Sequence, residues 1–254
     1  MSGGGSSSSL NETLLGEKGG VTPPVARKAP PPGVRAGAKG RVSVVSTALF
    51  VAVALGALAY GVDRVVLPDV FPKRFAPVLE GKVYRSGELS PAAMERVVRR
   101  HGIRTVIDLG VAPAGDIRDR RLQLTAQALG VTRFRFDLEG DATGNPNAYV
   151  QALRLALDPA RQPVLVHCAA GAQRTSCAIA LLRMHTQGVS MEDALREADG
   201  FDAKPKVGEV LASIAPAVLR ALAEGGDIPA GPDAPPDAQP LGEPRPTEPL
   251  RARP

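Results

Sequence analysis

A cysteine and an arginine six residues apart are the side chains in this sequence best placed to do chemistry. Cys168 and Arg174 lie within PVLVHCAAGAQRT, residues 163–175. The apolar run before Cys168 predicts a buried strand, and the apolar spacing after Arg174 predicts a helix, so the small-residue loop between them ends at a helix N-terminus. N–H groups and the helix dipole at such a position bind anions and stabilise a thiolate. A guanidinium group there matches the geometry of a phosphate.

The spacing of five residues in this stretch resembles the HC-x5-R-[ST] signature of the cysteine-dependent protein tyrosine phosphatase superfamily. It is more similar still to the bacterial dual-specificity-phosphatase-like branch, whose pattern is HC-x-x-G-x-x-R-T. The matching residues are His167, Cys168, Gly171, Arg174 and Thr175. The segment GKVYRSGELSP, residues 81–91, resembles the opening segment of the same branch, so the resemblance extends over residues 75–200. A buried structural cysteine after a strand is the alternative interpretation, but it would leave Arg174 without a role.

The resemblance implies phosphoryl transfer in two steps through a phosphocysteine. Cys168 would attack phosphorus, a nearby acid would protonate the leaving oxygen, and water would then release phosphate. Arg174 and the loop amides would hold the equatorial oxygens. Thr175 would hydrogen-bond the sulfur and assist its departure, and His167 would orient the loop. The implied phosphate-binding loop consists of Cys168, Ala169, Ala170, Gly171, Ala172, Gln173 and Arg174.

The general acid implied by the resemblance is an aspartate on a loop that follows a strand and precedes the cysteine. Asp141 is the first candidate, because it lies in a glycine-containing loop that could swing over a bound phosphate. Asp137 is the alternative, on the preceding strand and opposite the face of Phe134 and Phe136. Asp108, at the end of an earlier strand, is a more distant candidate. For Asp137 and Asp141 alike, the alternative interpretation is an ordinary solvated carboxylate.

The side chains of the loop bear on the substrate. Relatives that act on polyphosphorylated inositols or phosphoinositides tend to carry lysine or histidine in this loop, and none lies between Cys168 and Arg174 here. The residue after Thr175 is Ser176, where the family commonly has glycine. We therefore expect a phosphorylated protein as substrate, phosphotyrosine before phosphoserine or phosphothreonine, or a small phosphomonoester. An inositol phosphate or phosphoinositide phosphatase is the alternative enzyme, and a phosphate-binding module without turnover is the alternative from another class.

Strands and helices alternate along residues 63–224, the predicted catalytic domain. This alternation predicts an α/β fold with a mainly parallel central sheet flanked by helices and a ligand site at the C-terminal edge of the strands. The dual-specificity-phosphatase-like fold implied by the resemblance has this form. Cys177, in phase with Leu181 and Met184 on the helix after the loop, is expected in the core; a disulfide with Cys168 is the alternative. No pattern of the two cysteines or of other residues requires a metal or a cofactor.

The two ends of the chain are rich in proline, and the first is also rich in glycine and serine; neither shows apolar periodicity. We therefore predict disordered tails over residues 1–41 and 225–254. The formal net charge of +5 arises partly from basic residues before residue 42. It does not indicate a nucleic-acid-binding face, so no nucleic-acid partner is expected.

An uncharged stretch of 21 residues, VSVVSTALFVAVALGALAYGV, covers residues 42–62. At about 1.5 Å per residue it is long enough for a bilayer core of roughly 30 Å, so it predicts an N-terminal transmembrane helix in contact with lipid. Five basic residues precede it and four follow it within twenty positions. The positive-inside rule then predicts a single-pass protein, of a bacterial inner membrane, with a cytoplasmic N-terminus and an exported catalytic domain. Cleavage as a signal peptide after Ala59 is the alternative.

Overall fold

The structure is a computed structural model of the 254-residue chain, and it describes residues 44–61, 71–229, 235, 237–239 and 241–249. The predicted N-terminal tail, residues 1–41, lies outside the described residues, as do parts of the predicted C-terminal tail. The chain divides into two compact units, Met1–Ala48 and Leu49–Pro254. The strands and helices that surround the predicted site all lie in the second unit.

The first helix, α1, covers Val44–Gly61 and corrects the prediction of a transmembrane helix over residues 42–62. It has 18 residues, and at about 1.5 Å per residue its length of roughly 27 Å is shorter than a bilayer core of roughly 30 Å. Across the described ranges, no helix is both long and apolar enough to cross a membrane. The predicted single-pass membrane location was therefore wrong, and the lipid contact and exported orientation that depended on it are not supported.

Five strands form one sheet: β1 (Ala76–Leu79), β2 (Val83–Ser86), β3 (Thr105–Asp108), β4 (Thr132–Arg135) and β5 (Val164–His167). Their order is β1-β2-β5-β3-β4, with β1 antiparallel to β2 and the other neighbours parallel. This confirms the predicted α/β fold with a mainly parallel sheet. His167, the last residue of β5, is level with Ser86 on β2 and Asp108 on β3. The loop after β5 therefore begins between the loops after β2 and β3.

Six further helices are described: α2 (Pro91–His101), α3 (Ile117–Leu129), α4 (Pro146–Leu157), α5 (Gln173–Gln187), α6 (Met191–Asp199) and α7 (Lys206–Glu224). The local sequence sets their ends. Ser90 caps α2 by accepting a hydrogen bond from the N–H of Ala93 at 3.1 Å, and Pro91 occupies the first helical position. Gly102 ends the same helix in the left-handed conformation. Both ends of this helix are therefore set by residues next to it in the sequence.

The sheet is covered by helices on both faces. Successive strand residues point to opposite faces, so Val164 and Val166 of β5 pack with α4, α5 and α7, whereas Leu165 packs with α2 and α3. All three side chains are buried, as expected for a parallel sheet between helical layers. Cys177 on α5 belongs to the first of these two cores, and burial raises its pKa to about 12. It is a free thiol, as is Cys168.

The proline-rich region predicted as a tail over residues 225–254 includes described residues that contact the domain. The side-chain amide of Asn147 on α4 donates to the carbonyls of Ile228 at 3.1 Å and Gln239 at 2.9 Å, and its oxygen accepts from the N–H of Ile228 at 2.7 Å. Farther along, Thr247 donates its N–H to the carbonyl of Arg133 at 2.8 Å. We call the described residues from 226 to 249 the C-terminal segment. This segment contacts α4 and reaches the edge strand β4.

Candidate active site

Cys168 follows the central strand β5 and is buried, with 1% of its surface exposed. Its sulfur accepts a hydrogen bond from the N–H of Gly171 at 3.2 Å, so the loop turns back over the thiol. Gly171 has φ +75°, and a Cβ atom there would lie 2.5 Å from the nitrogen of Gly87 and 2.8 Å from the carbonyl oxygen of Ser86. Only glycine fits both the conformation and the space. The loop therefore packs directly on the backbone that follows β2.

Three consecutive carbonyls of the loop are bound by donors outside it. Ala169 accepts from the N–H of Glu88 at 3.1 Å, Ala170 from the Arg74 guanidinium at 2.7 Å, and Gly171 from the Arg85 guanidinium at 2.8 Å. In a trans peptide the N–H points opposite to the C=O. The N–H groups that follow these carbonyls are therefore turned the other way, into the loop, as the Gly171 N–H bound to sulfur shows. A ring of inward N–H groups is an anion-binding geometry.

Arg85 supports this arrangement from below. It is 1% exposed and also donates to the Ser176 hydroxyl at 2.8 Å, while its guanidinium carbon lies 3.6 Å from the centre of the Phe201 ring. Burial lowers the pKa of Arg85 to about 10, partly offset by the nearby Glu197 and Cys168. The side chain remains a cation at neutral pH, so it adds positive potential beneath the phosphate loop.

Arg174, the second residue of α5, contacts the backbone that follows two other strands. Its Nη1 donates to the carbonyl oxygens of Leu109 at 3.1 Å and Leu138 at 3.3 Å, and to that of Gly110. Leu109 and Gly110 follow β3, and Leu138 lies beyond β4. The guanidinium therefore joins these two loops to the phosphate loop that ends at Arg174. Gly110 has φ +80°, and a Cβ there would lie 3.2 Å from Nη1. The position of Arg174 thus depends on a glycine from another loop.

Several buried polar atoms around Cys168 have no hydrogen-bond partner among the described residues. They are the hydroxyls of Ser86 and Thr175, both ring nitrogens of His167 and Nε of Arg174. The Thr175 hydroxyl is fully buried, one residue after the arginine. Burial lowers the pKa of His167, partly offset by Asp108, so the ring is neutral at pH 7. His167 directly precedes the cysteine, and Arg174 and Thr175 lie in the first turn of the helix that follows the loop; the roles predicted for them stay predictions.

Neither of the two leading candidates for the general acid is hydrogen-bonded or ion-paired to Cys168 or Arg174. Asp141 is exposed and accepts hydrogen bonds from Thr143, from its hydroxyl at 2.6 Å and its N–H at 3.1 Å. These bonds lower the pKa of Asp141, with a smaller contribution from Lys206. Asp137 is exposed and accepts from Arg135 at 2.7 Å. Both candidates lie in the loop between β4 and α4, Asp137 before and Asp141 after Leu138, whose carbonyl binds Arg174.

Asp108, the third candidate for the general acid, lies in a different environment from Asp137 and Asp141. It is fully buried, accepts from the N–H of Val111 at 2.8 Å and pairs with Arg133 at 2.5 Å. Arg133 also binds Asp119 at 2.6 Å. A fully buried carboxylate whose two oxygens are both bound by these donors cannot reach a ligand, so Asp108 holds the loop after β3 in shape instead of donating a proton.

Two contacts of the site were not predicted from the sequence. Arg74, outside any motif, binds the loop carbonyl of Ala170 and is held by Asp202. Tyr149, buried on α4, donates its hydroxyl to the carbonyl of Ala142 at 2.7 Å, which ties the loop of Asp141 to the core. The Arg74 contact joins residues that are 96 positions apart in the sequence. The Tyr149 contact joins a helix to the loop before it. A tyrosine within an apolar helix pattern gives no signal of such a role.

Comparison with known proteins agrees with this geometry. A profile described as the tyrosine phosphatase family matches residues 69–212, more than half of the chain. The inositol diphosphatase DSP1 of Oryza sativa subsp. japonica is 33% identical over 118 residues, which are 44% of this chain and 50% of the rice protein. The chain therefore spans about half the length of that curated relative.

A solved structure shares the fold at lower identity. The core catalytic domain of the PP-IP phosphatase SIW14 from S. cerevisiae, in complex with citrate, has a TM-score of 0.52 and 21% identity, over 61% of this chain and 93% of that one. The narrower resemblance to a bacterial branch stays a prediction. The profile match covers every strand and the whole cysteine loop, and by it the chain belongs to the tyrosine phosphatase family.

Proposed function

We propose that the protein hydrolyses phosphomonoesters through a phosphocysteine on Cys168. The observation that carries the proposal is the loop whose three carbonyls are bound from outside, which leaves its N–H groups around the thiol. Such N–H groups and the Arg174 fork suit the three equatorial oxygens of a phosphoryl group in transfer. The predicted phosphate-binding loop, Cys168 to Arg174, is the proposed substrate-binding element.

The proposed reaction has two displacements at phosphorus. The Cys168 thiolate forms an S–P bond as the ester P–O bond breaks, and an aspartic acid gives its proton to the leaving oxygen. Water then attacks phosphorus, the same aspartate takes a proton from that water, and the S–P bond breaks to release phosphate. The unpartnered hydroxyl of Thr175 is available to hydrogen-bond the departing sulfur. Cys168 returns to its starting state.

We assign the acid to Asp141 and keep Asp137 as the alternative. The positive charge of Lys206, at the start of α7, interacts with the Asp141 carboxylate. The backbone N–H of Lys204, just before that helix, donates to the Gln173 side chain at 3.1 Å. Both observations support a position of Asp141 on the side of the phosphate loop. To act as an acid Asp141 must gain a proton, so it must exchange its bonds to Thr143 for contact with the substrate. Asp137 would have to leave Arg135 in the same way.

The first candidate substrate is a phosphorylated protein, with phosphotyrosine preferred. The support is the loop itself, whose side chains between Cys168 and Arg174 carry no charge, so a single phosphate is bound by backbone and Arg174 alone. The second candidate is an inositol phosphate. Its support is the relative named as an inositol diphosphatase, which shares 33% identity over the matched residues.

The test is hydrolysis of para-nitrophenyl phosphate by the full chain in the presence of EDTA. We expect turnover, lost by roughly a thousand-fold or more in Cys168→Ser. Asp141→Asn and Asp137→Asn, compared on the same substrate, identify the acid as the one that costs more. A phosphotyrosine peptide and inositol hexakisphosphate then separate the two substrate candidates. A folded wild-type chain that binds inorganic phosphate without turnover would instead support a phosphate-binding module.

A further inference from the structure

A cavity of about 190 Å³ adjoins the phosphate loop on the side of Ala169. Its wall includes the start of α2 and one face of α3. The lining residues are Lys73, Glu88, Leu89, Ser90, Pro91, Arg121, Leu122, Thr125 and Ala169. Ligand-binding pockets usually exceed about 300 Å³, so this cavity can take one substituent of a ligand and not a whole ligand.

Two cations of the wall lack a carboxylate partner. Within the described part of the chain, no ion pair involves Lys73 or the guanidinium of Arg121, and both side chains are exposed. The neighbouring cations are different: Arg74 pairs with Asp202, and Arg118 pairs with Glu88. Among the described lining residues, Glu88 is the only acidic one, and Arg118 already neutralises it. The described wall thus offers a small cavity with two positive charges that no described carboxylate pairs.

The cavity has a fixed position relative to Cys168. The carbonyl of Lys73 accepts from the N–H of Gly87 at 2.7 Å, and the N–H of Glu88 donates to the carbonyl of Ala169 at 3.1 Å. A Cβ atom at Gly87 would lie 2.7 Å from the carbonyl oxygen of Ala170, so the two backbones are in contact. The wall that carries Lys73 is therefore joined to the phosphate loop by backbone contacts.

We propose that this cavity binds a second phosphate group when the substrate is a small molecule, so that among small phosphomonoesters the enzyme prefers bisphosphates to monophosphates. The inference rests on the proposed function for the position of the first phosphate. A guanidinium fork and an ammonium group together suit a dianion better than a carboxylate. The small volume and the apolar contacts of Leu89 and Leu122 leave room for a substituent on a compact skeleton. An acidic phosphopeptide is the competing occupant.

The test compares ligands that differ by one phosphate. Calorimetry measures the binding of glucose 6-phosphate and glucose 1,6-bisphosphate to the full chain carrying Cys168→Ser, which needs no turnover. We expect the bisphosphate to bind about ten- to a hundred-fold more tightly, which is the effect of charge-assisted hydrogen bonds to one added group. Lys73→Met combined with Arg121→Met should remove most of this preference. Arg220→Gln, an exposed arginine on α7, is the matched control and should keep it.

Three results would overturn the proposal. One is equal affinity for the two sugar phosphates. Another is an equal loss of affinity for both in the double variant. The third is that the double variant loses affinity for a phosphotyrosine peptide with acidic neighbours but keeps its affinity for the bisphosphate, so that Lys73 and Arg121 would serve the peptide instead. Failure of the proposed function has a different signature, because para-nitrophenyl phosphate would then go unhydrolysed by the wild-type chain whatever the two sugars show.

Discussion

Gly171 shows how one residue type can be required twice. Its φ of +75° would strain any other residue by roughly 1–2 kcal/mol, and a Cβ atom would lie 2.5 Å from the backbone nitrogen of Gly87, which cannot rotate away. Gly188, at the end of α5, has a similar φ of +63° but open space around it. Comparison of the two separates the cost of the conformation from the cost of the close contact.

We expect Gly171→Ala to lower turnover of para-nitrophenyl phosphate by about a hundred-fold or more, because displacement of reacting groups by about 1 Å can cost that much. Gly188→Ala should retain turnover and lose roughly 1–2 kcal/mol of unfolding free energy. Urea denaturation and steady-state kinetics on both variants measure the two effects. Equal turnover in the two variants would show that the contact with Gly87 does not position the loop.

Thr143 provides a test of the acid through its pKa. Its hydroxyl and N–H stabilise the charged form of Asp141 and so lower that pKa. Thr143→Val removes the hydroxyl bond, so the carboxylate is less favoured and the pKa of Asp141 should rise towards its usual value. An acid must be protonated to act, so the alkaline limb of the kcat/KM profile that reports Asp141 should move to higher pH.

The control for this variant is Thr186→Val, which removes a hydroxyl bound to a carbonyl within α5 at 2.8 Å. Its pH profile should match that of the wild-type chain. If Asp137 is the acid, Thr143→Val should leave the profile unchanged as well. Asp141→Asn would then keep the alkaline limb that Asp137→Asn abolishes.

At the scale of elements, the sequence could predict those features that residues close together in the chain determine. The strand–loop–helix around Cys168 is contiguous, so apolar runs and the spacing of Cys168, Gly171 and Arg174 sufficed. The contacts that orient the loop carbonyls come from Arg74 and Arg85, which are 96 and 86 residues away from the carbonyls they bind. No periodicity encodes such pairs. The acid remained open for the same reason, since its surroundings depend on packing between loops.

Tyr149 connects an element to the chemistry. Its fully buried hydroxyl donates to the carbonyl of Ala142, which has φ +78° and lies next to Asp141. Tyr149→Phe would leave that carbonyl unpaired, at a cost of about 1–3 kcal/mol, or release the loop from the core. A loop that no longer holds the acid should slow the departure of poor leaving groups most.

We therefore expect Tyr149→Phe to reduce turnover of phenyl phosphate more than turnover of 2,4-dinitrophenyl phosphate, whose leaving group needs no proton. Val218→Ala, on α7 in the same core as Tyr149, is the control for a change of stability alone. It should lower both rates by the same factor, or neither. An equal effect of Tyr149→Phe on both substrates would mean that the hydroxyl stabilises the fold without positioning the acid.

At the scale of the whole molecule, composition and structure describe the chain differently at its two ends. The apolar stretch over residues 42–62 matched a bilayer span by composition, but the helix it forms has 18 residues. The proline-rich region after α7 lacks periodicity, yet polar side chains of α4 bind its backbone, with Asn147 holding Ile228 and Gln239. Backbone hydrogen bonds of this kind need no pattern in the segment itself, so composition could not predict them.

The C-terminal segment covers the edge strand β4, whose one strand neighbour in the sheet is β3. Pro246 pairs with Phe134, and the N–H of Thr247 binds the carbonyl of Arg133. An uncovered edge presents free N–H and C=O groups to other chains. A chain that ends after Gly225 should therefore unfold at lower urea concentration and associate as its concentration rises. Sedimentation velocity and urea denaturation measure both, with a chain that ends after Pro249 as control. Unchanged sedimentation and an unchanged midpoint would show that β4 needs no cover.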